Sequence, residues 1–296
     1  MAFLYPLLAV LIWAVNAIVN KLSAGAIDPA AISFYRWLLA LLVLTPFVLP
    51  RIISHWHDVK PHLFKFLILG LLGMALYQSL AYYAAYTISA LTIGIFVSII
   101  PLLTVLLSIF ILKSPPTIRI LIGSILSFIG IVWLISGGHP MILVQSGVGK
   151  GELMMLIAAI AYALYGVLTK HWSIPVSNWQ SLYMQIIFGV LLLFPEFLFT
   201  HNISLNTHNI WLVIYAGIPA SIIAPFVWIQ GVIKLGASKT ALFMNLTPIF
   251  TAIISIFFLH ESLHSYHLIG GILTLIGVAI AQRLQLPSRK NKKIIA

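Results

Sequence analysis

The sequence predicts an all-α integral membrane protein with ten transmembrane helices, arranged as two inverted five-helix repeats. Three observations support this prediction: an apolar composition, ten apolar segments, and a chain that repeats itself with opposite charge topology. Of the 296 residues, 61% are hydrophobic and 7% are charged, with a mean hydropathy of +1.11. Because soluble proteins carry about 25% charged residues, lipid must solvate most of this surface.

Ten apolar segments recur along the chain, and each is long enough to cross a hydrocarbon core about 30 Å thick. Turn signals separate most of them, such as Asp28-Pro29 after the first segment and Pro115-Pro116 after the fourth. The third and fourth segments are separated by very little, so the count depends on dividing them. The predicted spans are 3–21, 30–50, 63–85, 88–112, 117–136, 152–170, 177–199, 208–233, 236–259 and 264–283.

The second half of the chain repeats the first. Residues 101–131 align with residues 248–278 at a shift of 147, and 13 of these 31 positions are identical. Such self-similarity indicates duplicated architecture. The predicted domains are a first five-helix repeat (1–137), a second, inverted repeat (150–283) and a basic cytoplasmic tail (284–296).

The net charge of +11 does not indicate nucleic-acid binding, because the basic residues are spread over alternate loops and not clustered on one soluble face. If the N-terminus is cytoplasmic, 13 Lys and Arg residues fall inside, and only Lys21 and Lys150 fall outside. This is the positive-inside bias that orients helical membrane proteins. Since each half has an odd number of spans, the two repeats must have opposite orientations, with both termini in the cytoplasm.

Inverted repeats are typical of secondary transporters, whose substrate sites lie near the membrane midplane between the halves. Polar and aromatic side chains within the spans are therefore candidates for the lining of a cavity. Their alternative roles are hydrogen bonds between helices, core packing and interfacial aromatic belts; for the span-eight tryptophan, packing is the commoner role. The candidates are Trp13, Asn16, Tyr77, Gln78, Tyr82, Tyr162, Tyr165, Trp228 and Asn245.

Arg36 is the only basic residue that the span assignment places inside a span. It lies seven residues past Pro29, hence roughly 10 Å from the outer end at 1.5 Å per residue. An intramembrane arginine is a candidate functional residue, here for substrate binding. The alternatives are a side chain that extends to the outer headgroups and an ion pair with Asp28 or Glu196. The corresponding position in the second repeat is Gln185.

Four prolines within the spans are predicted hinges. Pro101 and Pro248 fall at the middle of spans four and nine, and Pro219 and Pro225 fall within span eight. Each proline removes a backbone hydrogen bond from a helix, and broken helices are tolerated at membrane depth where they line a cavity. We predict that spans four and nine bend in turn to gate the path; static kinks required for packing are the alternative.

The sequence shows no constellation typical of catalysis or metal binding. No pair of a buried nucleophile and a base stands out, and most histidines lie in loops without the spacing of a buried metal site. We expect no enzymatic activity, no cofactor and no metal. No Asp or Glu lies at the middle of a span, which argues against exchange of protons for a cationic drug. The expected partners are a small-molecule metabolite, the lipid bilayer and a coupling proton, with the chain a monomer or a homodimer.

Segments in both halves resemble the EamA-type domain of the drug/metabolite transporter superfamily. They are residues 34–40 (FYRWLLA), and Pro248 followed by residues 260–263 (HESL) and 270–277. The resemblance covers essentially the whole chain as two tandem domains. It implies a ten-helix inverted-repeat carrier in a bacterial inner membrane, commonly an exporter of amino acids or related metabolites. The family's usual acid after span four is replaced by Lys113-Ser114, so the two halves do not share it.

We therefore predict a secondary transporter that exports amino acids or related small polar metabolites by alternating access. Within transport, broad efflux of drugs or toxic analogues is the alternative. From a different class, the alternative is a membrane-embedded enzyme or a lipid-handling protein.

Overall fold

All regular secondary structure in the described part of the chain is helical. A computed structural model describes residues 2–113, 118–142, 148–200, 203–235, 240 and 242–282. The predicted basic tail lies outside these residues. The helices of the first half are α1 (Leu4–Ser23), α2 (Pro29–Ser54), α3 (Trp56–Ala84), α4 (Ala90–Ile111) and α5 (Ile118–Ile135).

The second half has the same sequence of helices. They are α6 (Lys150–Trp172), α7 (Asn178–Leu198), α8 (Ile210–Leu235), α9 (Thr247–Leu259, which a 3₁₀ turn at Leu242–Leu246 precedes) and α10 (Ser265–Gln282).

Within the described ranges, seven helices are long and apolar enough to cross a membrane: α1 to α4 and α6 to α8. The remaining three, α5, α9 and α10, contain shorter apolar stretches. Large apolar side chains such as Phe47 (70% exposed) and Phe257 (73% exposed) point away from the bundle, as expected for a surface that lipid solvates. The chain is thus a multi-pass membrane protein, while the ten-span count and the inversion of the repeats stay predictions.

Capping side chains mark the starts of three helices. Asp28 caps α2, whose first residue is Pro29, and Ser89 caps α4. Ser177 and Gln180 form a reciprocal capping box at the start of α7. Such side chains satisfy backbone N–H groups that have no partner within the helix, so each helix has a defined first turn even where its sequence is apolar throughout.

Helices α5 and α10 pack face to face through small residues. A Cβ atom added to Gly130 would lie 2.7 Å from the carbonyl oxygen of Gly270, and Ser127 donates a hydrogen bond to the carbonyl of Thr274 at 3.0 Å. Small residues allow this close approach. Because this face is occupied within the chain, it is not free to serve as a dimer surface.

Two π-helical segments interrupt corresponding helices of the two halves. One is Gly70–Leu76 in α3, and the other is Pro219–Ile223 in α8. At the repeat shift of 147, the first segment aligns with residues 217–223, so the two overlap. A π-helical turn rotates the residues that follow it and leaves backbone carbonyls without their usual donors, and such turns are frequent at functional sites.

The four prolines occupy different kinds of position. Pro101 lies inside the continuous helix α4, as predicted. Pro248 lies in the first turn of α9, after a 3₁₀ turn, where a proline removes no hydrogen bond that an α-helix would make. Pro248 therefore does not interrupt α9, while its role as a hinge stays a prediction. Pro219 starts the π-helical segment of α8, and Pro225 lies two residues after the end of that segment.

Candidate functional site

A cavity of about 550 Å³ lies between the two halves of the bundle, lined by residues of α1 to α4 and α6 to α8 and by Met244. Its volume is within the range of small-molecule sites, about 300–1,000 Å³. At one end it reaches Thr169 and Asn178, both exposed, where α6 ends and α7 begins. We call this the open end of the bundle. We call the opposite end, which carries the α3–α4 turn (residues 85–89), the closed end.

The structure places eight of the ten predicted site residues in the lining of this cavity. They are Trp13, Asn16, Arg36, Tyr77, Gln78, Tyr162, Tyr165 and Trp228. Of the predicted hinges, Pro225 also lines the cavity, whereas Pro101, Pro219 and Pro248 do not. The side chain of Asn245 lies outside the described residues, although Asn245 belongs to the 3₁₀ turn before α9.

Tyr82 does not line the cavity, contrary to the prediction for span three. It is fully buried in an apolar cluster with Ile27, Ile32 and Val213. One helical turn separates Tyr82 from Gln78, about 6 Å along α3, which moves it past the cavity toward the closed end. Its hydroxyl contacts the cavity only indirectly, by accepting a hydrogen bond from Arg36 Nη1 at 3.4 Å.

Arg36 is 4% exposed and points into the cavity. Its Nε donates to Ser221 Oγ at 2.7 Å, and its Nη1 donates to Asn16 Oδ1 at 3.3 Å. Among the described residues, no carboxylate forms an ion pair with it. The two acids that the sequence offered as partners are used elsewhere: Asp28 caps α2, and Glu196 accepts a hydrogen bond from a tyrosine of α3 at 2.7 Å. The guanidinium is thus a buried charge held by neutral groups.

Ser221 positions Arg36, and sequence reasoning missed it. Its hydroxyl donates to the carbonyl of Ala216 at 2.7 Å while accepting the Arg36 Nε hydrogen. This acceptor is available because the π-helical segment that begins at Pro219 disturbs the regular hydrogen-bond ladder of α8. Serine is common in membrane helices, so only the nearby prolines mark this position in the sequence.

The π-helical segments also anchor two tryptophans of the cavity through backbone carbonyls. Trp37 Nε1 donates to the carbonyl of Met74 in α3 at 2.9 Å. Trp13 Nε1 donates to the carbonyl of Ala220 in α8 at 3.3 Å. Buried indole N–H groups need an acceptor, and each irregular segment supplies one. The irregular backbone in both halves therefore supports the lining of the cavity.

Aromatic rings form two opposite parts of the lining. Tyr77 and Tyr162 lie 4.5 Å apart between ring centroids, and Tyr162 and Tyr165 lie 5.3 Å apart. Trp13 and Trp228 are in contact at 5.4 Å. These tilted arrangements are the ones that aromatic pairs favour. The rings provide flat apolar surfaces, while the tyrosine hydroxyls add hydrogen-bonding groups.

Polar contacts hold the bundle together where the cavity ends toward the α3–α4 turn. Asn20 Oδ1 accepts hydrogen bonds from Asn16 at 3.3 Å and from Gln78 at 3.5 Å. Next to Asn20, the ammonium of Lys21 donates to the carbonyls of Ala85 and Ile88 at 2.8 and 2.9 Å. These carbonyls lie at the C-terminal end of α3, where the helix dipole favours a cation. The closed end is therefore held by α1 bound to the α3–α4 turn.

A second cavity of about 520 Å³ lies at the closed end, beside the α9–α10 turn. Glu261 borders it and accepts hydrogen bonds from the backbone N–H groups of Ala90 and Leu91, at 2.8 and 3.2 Å. A residue of the second half thus caps a helix of the first half. In the described part of the chain, no group of three or more His, Cys, Asp or Glu residues is arranged to hold a metal ion.

The apolar helices and the central cavity define the class of multi-pass membrane proteins that enclose a small-molecule site. The EamA-like transporter family model matches residues 1–136 and 149–282. The chain therefore belongs to the EamA-like transporter family.

Two of the three relatives compared here with the chain are named as transporters. The chain is 25% identical to the uncharacterized transporter YyaM of Bacillus subtilis, over 92% of this chain and 91% of that protein. It is 26% identical to an uncharacterized transporter of Archaeoglobus fulgidus (94% and 96%) and 26% identical to Protein PecM of Dickeya dadantii (78% and 77%). A crystal structure of another protein superposes with a TM-score of 0.64 at 20% identity, covering 96% of this chain and 98% of that chain; this likeness shows the fold alone.

Proposed function

We propose that this protein is a secondary transporter that exports amino acids or related small carboxylate-bearing metabolites across the bacterial plasma membrane. One observation carries the proposal: Arg36 is buried at the cavity without an ion pair to any described carboxylate. A buried charge is costly unless an opposite charge pairs with it. The guanidinium fork matches the geometry of a carboxylate, so a bound substrate carboxylate would compensate it.

The same charge disfavours lipophilic cations as substrates. None of the described Asp and Glu residues lines the cavity, so a cationic drug would enter beside Arg36 without an opposing charge. Like charges in a buried site repel each other strongly. Broad drug efflux, the alternative within transport, would need substrates whose recognition does not depend on Arg36.

The proposed mechanism is alternating access. With both termini in the cytoplasm, the open end of the bundle faces the cytoplasm and the closed end faces outward. An exporter loads its substrate from the cytoplasm in such a conformation. The contacts of Lys21 and Glu261 at the closed end would then have to break before release.

Uptake into inverted membrane vesicles across a metabolite panel tests the proposal. We expect saturable uptake of amino acids or related carboxylates. The variant Arg36→Gln should lower kcat/KM at least about 30-fold, because removal of a buried charge partner costs 2 kcal/mol or more, and Arg36→Lys should restore part of it. The matched control is Arg51→Gln, since Arg51 is exposed at the end of α2.

Three outcomes would contradict the proposal. One is uptake of cationic dyes in preference to carboxylates, and a second is equal uptake by the Arg36 and Arg51 variants. The third is an absence of carboxylate uptake from a protein that is monodisperse in detergent. Growth of overexpressing cells on toxic amino-acid analogues, compared with growth on cationic dyes, provides a parallel readout in vivo.

A further inference from the structure

Gln185 carries an acceptor that the protein leaves unused. It is 2% exposed and lines the cavity from α7. Its Nε2 donates to Ser181 Oγ at 2.8 Å, but its Oε1 is buried and has no hydrogen-bond partner in the described part of the protein. Buried polar atoms are nearly always hydrogen-bonded. This carbonyl in the wall of the cavity therefore lacks a donor, which a ligand could supply.

The backbone at Gln185 is held rigidly. A Cβ atom added to Gly70, at the start of the π-helical segment of α3, would lie 2.6 Å from the carbonyl oxygen of Gln185. Likewise, a Cβ atom added to Gly189 would lie 2.6 Å from Met74 Cβ. Helices α3 and α7 therefore approach as closely as their backbones allow, and this packing fixes the backbone position from which the Gln185 side chain projects.

Two other side-chain carbonyls of the lining are already engaged. Asn16 Oδ1 accepts from Arg36, and Asn20 Oδ1 accepts from Asn16 and Gln78. No described carboxylate lines the cavity. Gln185 Oε1 is thus distinguished within the described lining as a buried side-chain acceptor without a donor.

Gln185 and Arg36 lie at different depths of the same cavity. Thr45 shares a hydrogen bond with Tyr183 at 2.8 Å, and Gln180 donates to the carbonyl of Arg51 at 3.1 Å, so α2 and α7 are antiparallel. Arg36 lies nine residues before Thr45, and Gln185 lies two residues after Tyr183. At 1.5 Å per residue, their Cα atoms are separated by about 10 Å along the bundle.

We propose that Gln185 is a specificity-determining residue, which accepts a hydrogen bond from a donor group of the substrate while Arg36 binds the carboxylate. This inference rests on the proposed function and narrows its substrate class. The substrate is bifunctional: a carboxylate at one end, and an amine or N–H group several bonds away. The tyrosine and tryptophan rings of the cavity provide the apolar surface for the part between. The two repeat-equivalent positions, 36 and 185, thus recognise opposite ends of one molecule.

The test uses matched probes and four variants in inverted vesicles. The first probe pair is 6-aminohexanoate and heptanoate, and the second is 4-(aminomethyl)phenylacetate and 4-ethylphenylacetate. In each pair, the first member carries a terminal ammonium, which is a charged donor, where the second carries a methyl group. We expect the wild-type protein to prefer the donor-bearing member about tenfold in kcat/KM, the effect of 1.4 kcal/mol. Gln185→Met should abolish this preference while uptake of the donor-free member changes less than twofold. Gln185→Glu should retain it, since it keeps an acceptor.

The control is Gln230→Met, because Gln230 lies on α8 outside the described lining; it should keep the wild-type preference. The proposal is overturned if the wild-type protein shows no preference, if Gln185→Met keeps it, or if Gln185→Met lowers uptake of both members equally, as a purely structural role would. Failure of the proposed function looks different: neither member of any pair would be taken up, in the wild-type protein as in Arg36→Gln.

Discussion

Neutral hydrogen-bond partners hold Arg36 in the cavity, and the nearest of them is the hydroxyl of Ser221. Ser221 bridges the guanidinium and a carbonyl of its own helix. Through this hydroxyl, the irregular segment of α8 orients the guanidinium of Arg36. Asn16 and Tyr82 contact the other side of the guanidinium at longer distances. At the scale of single residues, the proposed substrate binding by Arg36 therefore depends on a side chain that need not touch the substrate.

Replacement of Ser221 should weaken binding without abolishing transport. A hydrogen bond to a charged group contributes about 1.5–3 kcal/mol, so Ser221→Ala should raise KM roughly tenfold or more while kcat changes little. Ser221→Thr keeps the hydroxyl and should behave like the wild-type protein. Uptake kinetics in vesicles measure both constants. A wild-type KM for Ser221→Ala would show that Arg36 is positioned by other contacts.

Much of the candidate site could be predicted from the sequence, because polar side chains within apolar spans must face one another or a cavity. Trp13 and Arg36 follow from this rule. Tyr82 does not, since a position one turn further along a helix leaves the cavity, and where the cavity ends is decided by packing between helices. Ser221 and Gln185 acquire their importance from contacts with distant segments. The sequence marks them only indirectly, through the prolines near Ser221 and the alignment of Gln185 with Arg36.

The helices as elements are joined by two kinds of contact: irregular π-helical segments around the cavity, and close small-residue packing at α5 and α10. The second kind leaves a signal in the sequence, because Gly123, Ser127 and Gly130 are small residues at helical spacing. The π-helical segment at Gly70–Leu76 contains no proline, so composition gave no signal for it. Prolines predicted irregularity in α8 correctly, but at Pro248 the helix starts where a break was expected.

A methyl group at the α5–α10 contact should destabilise the protein. The Cβ of Gly130→Ala would lie 2.7 Å from a backbone carbonyl that cannot move independently, and such overpacking costs about 1–3 kcal/mol. The matched control is Gly166→Ala in α6, where an added Cβ meets nothing within 4 Å; it should be neutral or stabilising, because alanine is the better helix former. In detergent, the melting temperature of Gly130→Ala should therefore be well below that of Gly166→Ala. Equal melting temperatures would contradict the packing argument.

At the scale of the whole molecule, the two ends of the bundle differ although the chain is repeated. Lys21 binds the carbonyls of Ala85 and Ile88 at the closed end. Its repeat equivalent, Lys170, lies at the open end and is exposed, and the structure records no bond from its ammonium to a described residue. The two repeat-equivalent lysines thus have different surroundings in the same conformation of the protein. If the halves exchange conformations during transport, the contacts of Lys21 hold the present state closed on one side.

Loss of the Lys21 contacts should therefore open the closed end. The chain contains no cysteine, so Ala17→Cys, at the cavity face of α1, is a unique site for an impermeant maleimide added to the outside of right-side-out vesicles. Two hydrogen bonds from an ammonium are worth a few kcal/mol, and a population shift of 1.4 kcal/mol is tenfold. We expect Lys21→Met to accelerate outside labelling about tenfold or more.

The matched control from the other repeat is Lys170→Met. It should leave the labelling rate unchanged or lower it, because the Lys170 ammonium makes no contact that keeps the bundle closed in this state. Equal acceleration by both variants would indicate general loosening of the bundle, and no acceleration by Lys21→Met would show that the closed end is held by apolar packing and Glu261 instead.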